Sequence, residues 1–259
     1  MNLIWFRNDL RVQANPALIA ASEQGKPCLA IVCLTPDSWS EQGESSWRMA
    51  LWRDRLRVLV IELQSLNIPL KVLNVGHFSD TASRLLSFSL ERSIETIFYN
   101  REYPLNECRR DAAVDKMLQS VGVRIAAYQG DLIIPAGEVR TGQDGPFKVY
   151  TPFSRAWKRK LDTFDLAIRP LTVWLPESGE SSDTIPDDLD WKELPYIDHL
   201  WPAKTHAIRD QVYEFIEERE SAYAVYRDYP AREGTTKLSP YISICAISSQ
   251  QLMHVQRAH

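Results

Sequence analysis

Between Glu233 and Tyr241 the chain reads EGTTKLSPY, its most informative stretch. Backbone N–H groups beside Gly234, the hydroxyls of Thr235, Thr236 and Ser239, and the Lys237 ammonium are the donors that a diphosphate needs. A helix following them would add its positive N-terminal end. The same residues serve equally as a helix cap with an exposed lysine ahead of Pro240. A second basic cluster, Lys158, Arg159 and Lys160, reads as a solvated helix face.

Other chemistry is sparse. The histidines His77, His199, His206, His254 and His259 make no paired metal spacing, so no metal is expected. Cys28, Cys33, Cys108 and Cys245 are widely spaced and read as free core thiols. With 30 basic and 34 acidic residues the net charge is −4, so a contact with nucleic acid would need a local basic face. The start MNLIWFRNDLR has no signal-peptide pattern, and no apolar run approaches the ~20 residues of a membrane span. A cytoplasmic protein is expected.

The elements that must position these groups follow from apolar periodicity. Candidate strands are Asn2 to Phe6, Cys28 to Leu34, Leu70 to Val75, Thr96 to Tyr99 and Arg124 to Tyr128. Between them lie helices. One runs from Ser46 to Leu66 with Trp52, Leu56, Leu59, Val60, Leu63 and Leu66 on its buried face, and with Arg48, Arg53, Arg55 and Arg57 read as solvated. Another starts at Ser79 or Asp80 and buries Ala82, Leu85, Leu86 and Leu90. A third follows Asn106 and uses Val114, Met117, Leu118 and Val121. The pattern predicts an α/β fold, a Rossmann-like five-stranded parallel sheet with helices on both faces, whose ligands gather beyond the carboxyl ends of the strands. That rim includes Arg7 to Arg11, Thr35 to Trp39 and Asn100 to Glu107. The sheet domain is expected to span residues 1–131. A connector, 132–205, follows, with a short helix near 151–161 and prolines at 170, 176, 186, 195 and 202. Helical character returns over 206–259, where Ile208, Val212, Phe215 and Ile216 share a face.

In order along the chain, WFRNDLRVQANPAL, YNREYPLNECRRD, FKVYTPFSRAW and the tail from Tyr223 resemble successive segments of the DNA photolyase and cryptochrome flavoprotein family. The resemblance covers all 259 residues but only the first part of the family's usual length. It implies an antenna-binding α/β domain, a linker and the start of an all-α FAD-binding domain. Tyr223 and the run Thr235, Thr236, Lys237, Leu238 and Ser239 fall where the family contacts FAD. Asn106 and Glu107 match the pair that hydrogen-bonds a 5,10-methenyltetrahydrofolate antenna; from sequence alone they read equally as a helix N-cap with an acid in its first turn. The loop SEQGESS lacks a histidine that some folate-binding members carry, with Gln42 about where it would fall, and 8-hydroxy-5-deazaflavin is the alternative antenna. Arg227 sits where some photolyases present an arginine to DNA; the bland reading pairs it with Asp228 or Glu233. Trp5, Trp39, Trp47, Trp52 and Trp157 read as core or interface residues.

The activity implied is light-dependent repair of UV-induced cyclobutane pyrimidine dimers in DNA, by electron transfer from photoexcited reduced FAD, in a protein monomeric at full length. No catalytic side chain is named, and this chain by itself is not expected to repair DNA. The competing readings are a cryptochrome-type photoreceptor and a non-catalytic binding module. In the tail, Cys245 and Ala246 occupy a turn where the family commonly uses glycine, which predicts strain at a left-handed position. A generic nucleotide-binding sheet domain would need a Gly-rich loop after the first strand, and FRNDLRVQAN is not one.

Overall fold

The computed structural model of the protein describes residues 1–169, 171 and 174–258, so Pro170 and His259 lie outside the described residues. The expected apolar runs become β1 (Asn2–Phe6), β2 (Cys28–Leu34), β3 (Leu70–Asn74), β4 (Thr96–Asn100) and β5 (Arg124–Tyr128). They form one sheet in the order β3-β2-β1-β4-β5 with every pairing parallel. Around it are α1 (Pro16–Ser22), α2 (Pro36–Gln42), α3 (Ser46–Gln64), α4 (Thr81–Glu91) and α5 (Leu105–Gln119).

Because helices cover both faces, these strands are nearly continuous in apolar residues. Leu3, Trp5, Leu29, Ile31, Ile97 and Tyr99 form one core with Leu85 and Phe88 of α4 and Val114 and Leu118 of α5. Their neighbours Ile4, Phe6, Ala30, Val32, Leu34 and Phe98 form the opposite core with Leu18 of α1 and Leu56, Leu59 and Leu63 of α3. The period-two alternation of a strand is what divides them.

Residues 132–205 contain α6 (Tyr150–Leu161) in an otherwise irregular run, yet the run is not a loose tether. Leu175, Ile185, Leu189 and Ile197 are buried in the same core as α3. Asp183 N–H donates to the Leu70 carbonyl (2.8 Å), Val72 N–H donates to the Asp183 carboxylate (2.9 Å), and Leu70 N–H donates to Ser182 Oγ (3.1 Å). The segment thus occupies edge groups of β3 that would otherwise be open to another strand.

The tail consists of α7 (Thr205–Glu218), α8 (Tyr223–Tyr226), α9 (Ser239–Ser243) and α10 (Ser249–Ala258). Ile208, Val212, Leu238, Tyr241 and Ile244 join the α3-side core, so the tail seats directly on the sheet domain. No helix among the described residues is long and apolar enough to cross a membrane.

Several expectations need correction. Arg53 and Arg55 are buried, with Arg55 only 1% exposed, because carbonyls and carboxylates of remote segments receive their guanidinium groups. Arg57 is half-buried and pairs with Asp187. On α4 the buried stripe uses Phe88, whereas Leu90 is exposed; on α5, Met117 is exposed, and Val121, also exposed, falls beyond the end of the helix. All four cysteines are free, but Cys108 is exposed and does not belong to the core. Trp5, Trp39 and Trp52 are core residues, while Trp47 is exposed.

Candidate functional site

Two regions gather the predicted site residues. The first is the tail segment 233–241. Gly234 is buried beneath Tyr226: a Cβ there would lie 2.6 Å from Tyr226 Cβ and 2.8 Å from its carbonyl carbon and oxygen. Only glycine permits that approach, which clamps the segment against the turn begun by Tyr223. Gln211 Nε2 donates to the Thr236 carbonyl (2.8 Å), and Leu238 N–H donates to Thr236 Oγ1 (3.3 Å). Lys237 adopts a left-handed φ of 54° and pairs with Glu233, which Arg219 also approaches at 3.9 Å. The hydrogen bond and charge of Lys237 hold Glu233 below the ordinary carboxylate range.

Thr235 and Ser239 are exposed and their hydroxyls have no partner among the described residues. The Leu238 side chain is buried in the core, so only its backbone can face a ligand. α9 begins at Ser239 but spans five residues, too short to add much of a dipole. Tyr223 is 39% exposed, with its ring edge-on to Phe215 at 5.9 Å. Arg227 lies 5.8 Å over that ring and 3.8 Å from Asp228; it makes no pair with Glu233. The arrangement can therefore offer two free hydroxyls, a releasable cation and an aromatic ring to one elongated anion.

The second region lies where expected, beyond the carboxyl ends of the strands. Arg7 leaves β1 and pairs with Asp111 (3.0 Å), while Arg110 pairs with Glu102 (2.6 Å) and Asp111 (2.8 Å). Both guanidinium groups lie over Trp5, at 4.4 and 4.9 Å. Burial would raise the Glu102 carboxyl, but Arg7 and Arg110 hold it below its ordinary value. Burial would likewise lower Arg110, yet Glu102 and Asp111 hold it above.

This ionic layer floors an inner cleft of about 60 Å³, lined among others by Thr35, Trp39, Arg48, Trp52 and Glu107. An outer cleft of about 350 Å³ adjoins it, lined by Ser38, Glu41, His77, Asn106 and Arg109, with Gln42, Phe78 and Arg110 shared between the two. Asn106 and Glu107 thus look into neighbouring clefts. Neither is the N-cap of α5, which is Pro104. His77 is a cleft residue that sequence reasoning missed. Its ring nitrogens lie 3.6 Å from Asp37 and from Glu41. Nothing linear signals it, because only the neighbouring of β2 and β3 brings the loop after β3 to α2. The Gly76 carbonyl, accepting from Asp37 N–H (3.2 Å), fixes that approach.

The opening motif connects the two regions. Asn100 Nδ2 donates to Asp9 (2.7 Å) and Asn15 (2.8 Å), and Gly130 must be glycine because a Cβ would sit 2.7 Å from Asn100 Cγ. Arg11, 2% exposed, donates to the carbonyls of Gly130 (2.7 Å), Ala14 (3.1 Å) and Cys245 (3.0 Å). Ala14 and Cys245 both take left-handed φ values, 49° and 43°, so the strain anticipated at Cys245 is present. Arg48 of the inner cleft reaches the Ser243 carbonyl at the end of α9 (3.4 Å).

The family model described as DNA photolyase matches residues 2–173. This chain belongs to the DNA photolyase family. It is 36% identical to a deoxyribodipyrimidine photo-lyase of Vibrio cholerae over 97% of its own length and 54% of that protein's. It is 30% identical to the Salmonella typhimurium protein of the same name, over 98% and 53%. The fold is that of a bacterial class III photolyase from Agrobacterium tumefaciens (TM-score 0.77, 24% identity, 98% of this chain and 52% of that one). It is also that of a Synechocystis cryptochrome (TM-score 0.78, 22% identity, 99% and 55%). The chain spans about half the length of the photolyase relatives it matches, and within that half lie both the strand-end clefts and the Gly234 clamp.

Proposed function

We propose that the protein acts in light-dependent repair of UV-induced cyclobutane pyrimidine dimers in DNA. In this reading residues 1–131 are the antenna domain, 132–205 the connector and 206–259 the start of the helical FAD-binding domain. The observation that carries it is the glycine-clamped segment 233–239, in a photolyase-family chain, with the hydroxyls of Thr235 and Ser239 unengaged. FAD supplies, when bound and reduced, the light-driven electron that splits the dimer.

This chain's residues bind and orient. Thr235, Thr236 and Ser239 donate to the diphosphate. Lys237 exchanges Glu233 for a phosphate, a change that forfeits only a solvent-exposed pair. Tyr223 borders the same site, and the backbone at Leu238 completes it. Arg227, freed from Asp228, contacts a DNA phosphate at the lip.

For the antenna, Asn106 and Glu107, an amide and a carboxylate lining adjoining clefts, favour 5,10-methenyltetrahydrofolate over 8-hydroxy-5-deazaflavin. The outer cleft of about 350 Å³, with Asn106 on its wall, falls in the usual range for ligand pockets, whereas the inner cleft of about 60 Å³ has no room for a fused ring system. Glu107 then reads the ring edge from the inner side.

The test is a blue-light assay with reduced FAD and an oligonucleotide carrying one cyclobutane dimer, using the protein with its complete helical domain. Dimer loss in light and not in darkness is expected. Flavin binding without any light-dependent loss of dimer would refute the repair reading.

A further inference from the structure

The connector helix α6 carries cations that the flavin and antenna readings leave unused. Lys148, Arg155, Lys158 and Arg159 are all exposed, and none has an ion pair or side-chain hydrogen bond with any described residue. Their neighbours differ: Lys160 is engaged by Glu138 at 2.7 Å, and Arg140 lies 3.6 Å from Asp144. In a chain of net charge −4, three unneutralised cations on one short helix and a fourth just ahead of it form a local field opposite in sign to the whole.

Helix electrostatics accounts for only part of this. Lys158 and Arg159 lie in the last turn, where cations favour the negative end of the dipole. Arg155 is a full turn earlier and Lys148 precedes the helix, beyond the reach of that effect. Arg155, Lys158 and Arg159 fall at i, i+3 and i+4, one strip of helix surface. At 1.5 Å per residue Arg155 and Arg159 are ~6 Å apart, the scale on which neighbouring phosphates follow one another along a DNA strand.

A membrane surface fits less well, since a surface-bound helix must have its apolar face free. Here the C-terminal half of that face is covered, Leu161 being buried with Ile134 and Leu166 and Trp157 packed against the same cluster, and only its Val149, Tyr150 and Phe153, at the opposite end from Lys158 and Arg159, are exposed.

We infer that the cationic strip of α6, with Lys148, is a DNA-backbone contact that grips duplex phosphates outside the lesion, independently of sequence or damage. It rests on the reading that this protein works on DNA, and adds a surface on the connector to the contact at Arg227. Each neutralised phosphate contributes ~0.9 to the salt slope of binding, so the four cations together contribute about 3.6.

The experiment measures fluorescence anisotropy of a short undamaged duplex titrated with this chain between about 50 and about 200 mM salt. The partner protein is a variant with Lys148→Gln, Arg155→Gln, Lys158→Gln and Arg159→Gln combined. The exposed positions leave its melting temperature near that of the parent. Expected is a parent affinity that falls at least ~150-fold over that range and a variant slope lower by about 3.6. Arg227→Gln serves as the separate control for the lip contact, with a slope change near ~0.9. Equal slopes for parent and quadruple variant, or binding to phosphatidylserine vesicles without binding to duplex, would overturn the inference. Failure of photorepair alone leaves these slopes unchanged, so the two readings fail separately.

Discussion

Replacing Arg55 with alanine is the sharpest test of how the tail is locked to the sheet domain. The side chain is 1% exposed, and its guanidinium donates to the Leu10 carbonyl (2.7 Å), the Ala203 carbonyl (3.2 Å), Thr205 Oγ1 (2.9 Å) and Glu62 (2.6 and 3.3 Å). These acceptors come from the opening motif, the end of the connector, α7 and α3. Alanine leaves two buried carbonyls unpaired at ~1–3 kcal/mol each, and leaves Glu62 without its cation. Glu62 is 20% exposed and Thr205 still donates to it, so water and Thr205 offset part of that loss. The total expected is about 4 kcal/mol, within the ~3–5 kcal/mol seen when one partner of a buried pair is removed. That is a large share of the ~5–15 kcal/mol that holds a typical domain together. Arg55→Met keeps most of the volume and is expected to lose nearly as much, because the acceptors stay orphaned. Arg57→Ala is the control: its pair with the exposed Asp187 is worth less than ~1 kcal/mol. Urea unfolding at constant m-value reads all three as midpoint shifts. An Arg55→Ala loss below ~1 kcal/mol, or equal to that of Arg57→Ala, would refute the claim that this arginine ties the segments together.

Gly234→Ala forces a Cβ to 2.6 Å from Tyr226, and is expected to destabilise the protein by ~1–3 kcal/mol and to weaken FAD in a fluorescence titration, whereas Thr235→Ala weakens FAD with the melting temperature unchanged. Burial and the nearby Asp9 push the Asp131 carboxyl up to about 6 against Arg11. Its folded value exceeds the ordinary 3.8, so its contribution is fully present below that pH and is lost as pH rises to about 6, by roughly 3 kcal/mol at most. Asp131→Asn is therefore expected to gain stability relative to the parent as pH rises through that window in thermal melts, and a difference independent of pH would contradict the assignment. Asn106→Ala is expected to weaken 5,10-methenyltetrahydrofolate about tenfold in a near-ultraviolet absorbance titration, with one lost hydrogen bond worth ~1 kcal/mol and an unpaired ring group adding to it; unchanged affinity would place the antenna elsewhere.

Much of this architecture is determined locally. Leu3, Ile4 and Trp5 or Leu29, Ala30 and Ile31 specify strands buried on both faces wherever the sheet forms, because an apolar run with no polar side has no other stable place. The glycine of segment 233–239 is required for a similarly local reason, the close approach of Tyr226 in the preceding turn. The five strand positions and the placement of the rim follow from this level alone.

What the sequence leaves open depends on partners far along the chain. Arg53 and Arg57 look alike in a helical pattern, yet one is buried and the other is not, since the Asp187 carbonyl receives the first while the second reaches the exposed Asp187 carboxylate and, at 3.8 Å, Asp54. Leu90 satisfies the stripe of α4 but stays exposed, and Phe88 is buried in its place. His77 becomes a cleft residue only because β3 lies beside β2, and Cys245 takes its left-handed turn where Arg11 holds its carbonyl. Periodicity reports which side of an element is apolar. Whether a cation, a histidine or a leucine on that element is buried is decided by the acceptors and side chains that tertiary packing brings opposite it.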